Sequence, residues 1–216
     1  MKVVKILIPN RVYNVILDVL PMVILFSIVM SSVRLVTVAY SKEIIQWRKE
    51  IKNLIYIVYT FILFVLVTST DFESIGNNFI PFKEILRYKS TSGLFFRNVI
   101  GNILLFLPFG YLITDMVQSK ANKCNPLITL LLTSITSIST ELIQLFIGRS
   151  FDIDDIILNI LGGLLGYIIY KILHILLKQV RKKYDNVFVD LVSCVILLFI
   201  IILIIYLCCE VIIWIK

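Results

Sequence analysis

The stretch that decides the fold is residues 141–166, ELIQLFIGRSFDIDDIILNILGGLLG. It begins near the end of one apolar helix, passes through a short acidic loop and enters a second apolar helix. Ionisable side chains at the ends or in the interior of membrane helices are costly, so a cluster of them needs a structural or functional reason. The polar side chains of this stretch are Glu141, Gln144, Arg149, Asp152, Asp154, Asp155 and Asn159.

The composition around this stretch is that of a membrane protein. Of the 216 residues, 59% are hydrophobic and 16% are charged, against about 45–50% and about 25% in an average soluble domain. One soluble core of this chain length does not bury so many apolar residues. Several apolar runs approach the roughly 20 residues that cross a bilayer. We therefore predict an all-α polytopic transmembrane bundle of about six helices in the cell membrane, with one re-entrant or interfacial segment.

The net charge of +7 is distributed in short basic clusters at residues 42–52, 120–123 and 178–183, between the apolar runs. Such clusters are typical of cytoplasmic loops and favour anionic lipid headgroups, and not a nucleic acid, as the counter-charge. If these loops are cytoplasmic, the polar stretch at 141–166 faces outward. Lys2, Lys5 and Arg11 near the N-terminus favour the inverted orientation, so the sequence leaves both open.

Three regions follow from the order of apolar and polar segments. Residues 1–52 form an N-terminal transmembrane helix and a basic loop, residues 53–177 a core of four transmembrane helices, and residues 178–216 a basic linker and a C-terminal anchor. The connection at 71–97 is too short and too polar to span a bilayer, so we interpret it as the re-entrant or interfacial segment. The predicted spans are residues 12–33, 54–68, 98–117, 127–147, 156–177 and 191–215.

Polar residues recur at helical spacing within the core. Asn98 and Asn102 are four residues apart and share one helix face. The fourth span has a polar stripe of Ser134, Ser137, Glu141 and Gln144, and the fifth a stripe of Asp155, Asn159, Gly162, Gly166 and Tyr170. Because only the loop GRSFDIDD joins these spans, we predict an antiparallel helical hairpin whose polar ends meet.

Small and helix-breaking residues mark structural positions, with Pro81 in the connection at 71–97 and the others in the spans. Gly162 and Gly166 form a small-xxx-small pair that allows another helix to approach closely. Pro108 and Gly110 lie in the middle of the third span, where a proline removes a backbone hydrogen bond and predicts a kink.

Three segments, in this order, resemble the VanZ-like family of bacterial membrane proteins: NNFIPFKEI (77–85), RNVIGNILLFLPFGYLI (97–113) and ELIQLFIGRSFDIDDIILNILGGLLGY (141–167). The resemblance covers about residues 53–170. It implies a role at the envelope of Gram-positive bacteria in lowering susceptibility to the glycopeptide teicoplanin. It further implies membrane lipids and a lipid-linked cell-wall precursor or a lipoglycopeptide as partners. The motif residues of the family fall on Pro81, Asn98, Asn102, Pro108, Gly110, Glu141, Gln144, Arg149, Asp152, Asp155, Asn159, Gly162 and Gly166.

The polar residues support two kinds of site. In an enzyme acting on a lipid or lipid-linked phosphate, Asp152, Asp154 and Asp155 would hold Mg²⁺ or Mn²⁺ and Arg149 would clamp a phosphate. The candidate catalytic residues are then Glu141, Arg149, Asp152 and Asp155.

In the other interpretation the same residues form a hydrogen-bonded or ligand-binding corner. Arg149 pairs with an aspartate, Asp152 caps the fifth span, and Glu141 and Gln144 bond to asparagines across the helices. We favour this non-catalytic interpretation, because no catalytic triad or glycine-rich phosphate loop is present. A transporter fits less well, since the polar residues cluster at one end. The candidate binding residues are Asn98, Asn102, Glu141, Gln144, Arg149, Asp152, Asp154, Asp155 and Asn159.

Overall fold

A computed structural model describes residues 10–41, 47–68, 76–88, 95–121 and 125–181. Within these ranges the secondary structure is helical, apart from one isolated β-bridge. The predicted all-helical fold class is confirmed. The helices are α1 (Asn10–Ser41), α2 (Trp47–Thr68), α3 (Lys83–Tyr88), a π-helical turn (Phe96–Ile100), α4 (Gly101–Ala121), α5 (Pro126–Phe146) and α6 (Ile153–Arg181).

Four segments in the described part of the chain are long and apolar enough to cross a membrane: Pro21–Val38, Asn98–Ser119, Pro126–Phe146 and Ile153–Lys178. They coincide with or overlap the first, third, fourth and fifth predicted spans. The second predicted span is helical as part of α2, but α2 is not among the four, and its first residues are strongly charged. The sixth predicted span lies outside the described residues. The predicted multi-pass membrane location is confirmed.

By its contacts the chain divides into two units after Leu66. In the first unit, Arg34 of α1 holds Glu50 of α2 with two hydrogen bonds, Nε to Oε2 and Nη2 to Oε1, both of 2.8 Å. This bidentate bond from Arg34 holds the pKa of the Glu50 carboxyl below its ordinary value. Phe26 and Phe61 stack with ring centroids 4.5 Å apart, so polar and aromatic contacts both join α1 to α2.

In the second unit, α4 and α6 run side by side with their backbones in contact. A Cβ atom on Gly162 would meet the carbonyl of Ile103, and one on Gly166 the carbonyl of Leu107. A Cβ on Gly110 would in turn meet the backbone of Gly163. We call Gly110, Gly162, Gly163 and Gly166 the glycine seam. Since residue numbers increase in the same direction on both sides of it, α4 and α6 are parallel.

Pro108 and Gly110 both lie within α4, which runs from Gly101 to Ala121, and Pro108 is buried. The predicted kink at Pro108 stays a prediction. Gly110 is required by the contact with α6, where any side chain would collide with backbone.

The buried face of α5 is entirely polar. It consists of Thr129, Thr133, Ser137, Thr140, Glu141 and Gln144. The predicted stripe contained the last part of this face, but Ser134 is only half-buried, and Thr129 and Thr133 occupy the face instead. The Thr129 hydroxyl lies 3.0 Å from that of Thr114 on α4. Small hydroxyl side chains allow close packing and supply hydrogen bonds within the membrane.

Candidate functional site: a polar corner at the α5–α6 turn

We call the nine candidate binding residues the polar corner, and its centre is the turn from α5 to α6. Helix α5 ends in a Schellman motif: Gly148 has φ +89°, the Gly148 N–H donates to the Leu145 carbonyl at 3.2 Å, and the Arg149 N–H donates to the Gln144 carbonyl at 2.9 Å. A glycine is favoured here because an L side chain resists positive φ. The sequence GRS after the apolar run therefore ends the helix at the corner.

Helix α6 begins at a side-chain cap. Asp152 Oδ1 accepts a hydrogen bond from the Asp154 N–H at 2.9 Å, as an N-cap residue does. The Asp152 N–H donates to Glu141 Oε2 at 3.0 Å, which links the start of α6 to the last turns of α5. Glu141 therefore bonds to the backbone of the turn within the hairpin, where the sequence pattern predicted an asparagine partner.

A second segment of chain is fastened to this turn. Residues 76–88, which we call the strap, pair with the loop before α6 through an isolated parallel bridge between Asn78 and Asp152. The Asn78 N–H donates to the Phe151 carbonyl at 2.8 Å, and the Ile153 N–H donates to the Asn78 carbonyl at 3.1 Å. Asn78 Nδ2 also donates to Asp152 Oδ1 at 2.9 Å. The Phe151 N–H donates to Asn77 Oδ1 at 2.9 Å.

Asp154 fixes the strap by capping its short helix α3 from a distance in sequence. Its carboxylate accepts hydrogen bonds from the backbone N–H groups of Phe82, Glu84 and Ile85, at 2.5, 2.8 and 3.2 Å. The first amides of any helix lack partners within that helix, so each needs an external acceptor. Asp154 is fully buried and accepts all three bonds, so its carboxylate has a structural role in holding α3 in place.

The π-helical turn contributes Asn98, and the first turn of α4 contributes Asn102. Asn102 Nδ2 donates to the Asn98 carbonyl at 2.8 Å and to Asp155 Oδ1 at 2.6 Å. One turn deeper along α6, Asn159 Nδ2 donates to Ser137 Oγ of α5 at 3.0 Å. The corner thus joins α4, α5, α6 and the strap. π-Helical turns are frequent at functional sites, where they turn a side chain out of the regular helical register.

The electrostatic environment of the corner is dominated by carboxylates. Arg149 lies close enough to Glu141 and Asp155 for direct coulombic attraction to both. Burial raises the pKa of Asp152 above its ordinary value, and the hydrogen bonds from Asn78 and from the Asp154 N–H oppose this rise only in part. The nine residues include four carboxyl groups and one guanidinium. Gln144 completes the set as a buried side chain on the same face of α5 as Glu141.

Each of the three candidate metal ligands accepts a hydrogen bond from another part of the chain. Asp152 caps α6 and contacts Asn78, Asp154 caps α3, and Asp155 accepts from Asn102. Across residues 10–41, 47–68, 76–88, 95–121 and 125–181, no group of three or more His, Cys, Asp or Glu side chains is placed to hold a metal ion. Mg²⁺ or Mn²⁺ at this corner therefore stays a prediction.

Sequence reasoning did not identify several residues that build the site. Asn77 and Asn78 stand in the quoted segment NNFIPFKEI, and two adjacent asparagines beside a proline turn are the signal that could have identified them. Pro81, which was predicted as structural, occupies the turn between Asn78 and α3. Gly163 and Thr133 were also not identified from the sequence. A Cβ atom on Gly163 would lie 2.5 Å from the methyl carbon of Thr133.

Comparison with known proteins shows that the polar corner lies in a part of the chain that matches a known family. The family model described as VanZ/LLP1 matches residues 51–174, a range that contains the strap, the glycine seam and every residue of the polar corner. Protein VanZ of Enterococcus faecium is 36% identical over 106 residues, which are 48% of this chain and 62% of that protein. The chain therefore spans about three-fifths of the length of this relative. No solved structure matches the chain.

Proposed function

The chain belongs to the VanZ/LLP1 family, and from this premise we propose that it lowers the susceptibility of a Gram-positive cell to glycopeptides of the teicoplanin type by acting within the cell membrane. The observation that carries the proposal is the family match over residues 51–174, because this range includes the complete polar corner. The similarity to Protein VanZ of Enterococcus faecium supports the same proposal.

The contacts within the corner favour binding over chemistry. Asp152 and Asp154 hold backbone amides and so build a rigid frame around Glu141, Asp155 and Arg149. A frame of this kind keeps polar groups in place without a ligand, and preorganised groups bind with a smaller entropic cost. We expect the ligand to be the polar part of an amphiphile in the membrane, either a lipid-linked cell-wall precursor or the lipoglycopeptide itself.

The charges of the corner indicate which ligand groups it favours. Carboxyl groups outnumber the single guanidinium of Arg149, so amine and hydroxyl donors of a ligand are favoured at Glu141 and Asp155. Asn159 is 4% exposed, and its Oδ1 atom has no hydrogen-bond partner in the described part of the chain. That atom offers a further acceptor for a donor group that reaches one helical turn below Asp155.

The first test is expression of the wild-type chain in a teicoplanin-susceptible Gram-positive host. We expect the minimum inhibitory concentration of teicoplanin to rise at least fourfold over that of an empty-vector strain. The Leu131→Val variant, which changes a lipid-exposed position on α5, serves as a control for expression and should protect equally. Unchanged susceptibility, with the protein present in the membrane at normal abundance, would overturn the proposal.

The alternative proposal is an enzyme that acts on a lipid-linked phosphate with Mg²⁺ or Mn²⁺. Purified protein separates the two, because a ligand that binds only the folded state raises the melting temperature. A midpoint raised by either metal in the wild type, but not in a folded Asp155→Asn variant, supports the enzyme. A midpoint raised by teicoplanin or a lipid-linked precursor in a metal-free buffer supports binding alone.

A further inference from the structure

The strap carries exposed apolar side chains that the contacts of the polar corner do not explain. Phe79, Ile80, Phe82 and Leu86 are between 54% and 66% exposed. We call these four residues the apolar tip. Phe79 stacks on Phe151 at a centroid distance of 5.4 Å and remains mostly exposed even so. Apolar side chains clustered on one short segment indicate a surface that contacts something apolar.

The position of the strap relates the tip to the edge of the bilayer. Its Asn78 pairs with residues 151–153, and Ile153 is the first residue of a helix that can cross the membrane. A segment bonded to the first residue of a transmembrane helix lies at the boundary between the hydrocarbon and the headgroups. At this depth the neighbouring molecules are lipids, whose acyl chains begin where the headgroups end.

The backbone conformation of Phe82 indicates that its side chain contacts something other than the folded protein. Phe82 has φ +65°, follows Pro81, and closes a turn in which the Lys83 N–H donates to the Ile80 carbonyl at 3.4 Å. Glycine is the residue that such a turn favours, and a bulky residue with positive φ is strained. Since the Phe82 N–H already bonds to Asp154, a glycine would satisfy the turn equally well. The aromatic ring is therefore unnecessary for the turn itself.

Basic side chains stand next to the tip. Lys83 and Arg87 are exposed and four residues apart on α3, so they lie on one face of this helix. Glu84 is buried and paired with Arg87 at 2.5 Å, so the acidic residue of α3 faces the protein. An apolar tip with basic neighbours matches the membrane interface, where acyl chains lie below a layer of phosphates.

We propose that residues 79–87 form an interfacial anchor that inserts the apolar tip into the acyl region of one leaflet and places Lys83 at the lipid phosphates. The occupant of this surface is the bilayer itself. Through the bonds of Asp154 and Asn78, the anchor fixes the polar corner at the headgroup level. This inference is independent of the glycopeptide phenotype.

The test is depth-dependent fluorescence quenching of a tryptophan placed in the tip. In a background with Trp47→Phe and Trp214→Phe, Phe82→Trp and Phe79→Trp are reconstituted into phosphatidylcholine vesicles that carry bromine at a shallow or a deep acyl position. We expect both tryptophans to be quenched at least twofold more by shallow bromine than by deep bromine, and only weakly by aqueous acrylamide. Ile135→Trp, at an exposed position in the middle of α5, is the matched control and should favour the deep bromine.

Strong acrylamide quenching with no bromolipid quenching would overturn the proposal, because the tip would then lie in water. Protection from both quenchers would also overturn it, because another protein surface would cover the tip. A second variant tests whether the Phe82 ring contributes to the folded structure. Phe82→Gly should keep or raise the melting temperature of the protein in detergent. A lowered midpoint would show that the ring is part of the internal fold.

A charge test separates the phosphate contact from simple burial of the tip. Adding phosphatidylglycerol to the vesicles should shift the Phe82→Trp emission further to the blue, and Lys83→Gln should reduce this shift by about half. An equal shift with and without Lys83 would contradict the assignment of Lys83 to the phosphates.

Discussion

The glycine seam and the polar corner belong to the same helices and are built on opposite principles. At the seam, α4 and α6 touch through backbone because Gly110, Gly162 and Gly166 have no side chain. At the corner, carboxylates and amides hold four chain segments together through directed hydrogen bonds. Lipid provides no hydrophobic drive for helices to associate, so close packing and polar bonds are the two available means. The chain uses close backbone packing at the seam and directed polar bonds at the corner.

The strongest perturbation should come from the seam. Gly110→Ala places a methyl group against the Gly163 backbone, so α4 and α6 must separate. We expect a loss of about 2–3 kcal/mol or more in the free energy of unfolding, since overpacking at a rigid contact is not relieved by a rotamer change. The measurement is the melting temperature of the purified protein in detergent.

Gly101→Ala is the matched control on the same helix, because the nearest atom to its added Cβ is an ordinary 3.8 Å away. This variant should be neutral, or more stable by about 0.5–1 kcal/mol from the higher helix propensity of alanine. Equal melting temperatures for the two variants would contradict the claim that backbone contact at the seam defines the fold.

The next effect concerns the connection between corner and strap. Asp154→Ala removes the acceptor of three backbone amides, and we expect a loss of about 1–3 kcal/mol for the unsatisfied groups. Amide hydrogen exchange should increase at residues 82–88 while the seam stays protected. Asp154→Asn retains one acceptor oxygen and should be intermediate. Exchange that increases equally throughout α4 and α6 would show that corner and seam are a single cooperative unit.

A smaller effect is expected at the turn itself. Gly148→Ala forces a side chain to adopt φ near +89°, although the space around it is open. The cost is therefore conformational only, at about 1 kcal/mol. The melting temperature should fall by a few degrees. A fall as large as that of Gly110→Ala would mean that Gly148 makes a packing contact and would weaken the distinction between the two regions.

The smallest effect is a change in pH dependence. Burial raises the pKa of Asp152 above 3.8, so the folded state binds its proton more tightly than the unfolded state. The stabilisation from this proton is fully present below the unfolded pKa and is lost as the pH rises through the folded pKa. Asp152→Asn keeps a capping oxygen and removes the titration. Its melting temperature should vary less than that of the wild type from pH 4 upward, and an unchanged pH profile would contradict this assignment.

The sequence predicted the seam better than the corner, for a physical reason. The contact at Gly162 and Gly166 follows from spacing within one helix, and the Asp152 cap from residues adjacent in the chain. The bonds of Asp154 join residues 69 to 72 positions apart, and no local pattern specifies such a pairing. The pattern of helix faces predicted an asparagine partner for Glu141, because it does not show the loop backbone that lies between the helices. The contact of Gly110 with Gly163 is not specified by a local pattern either, because the two glycines lie on different helices.

The most direct measurement is teicoplanin susceptibility of cells that express Glu141→Gln, compared with the wild type at equal membrane abundance and equal melting temperature. The amide side chain introduced by this substitution still offers an oxygen to the Asp152 N–H, so the frame of the corner is retained while the carboxylate is lost. If the corner binds the ligand, the protection conferred by the wild type should fall at least fourfold in this folded variant. Full protection by Glu141→Gln would contradict the account and place the function outside the polar corner.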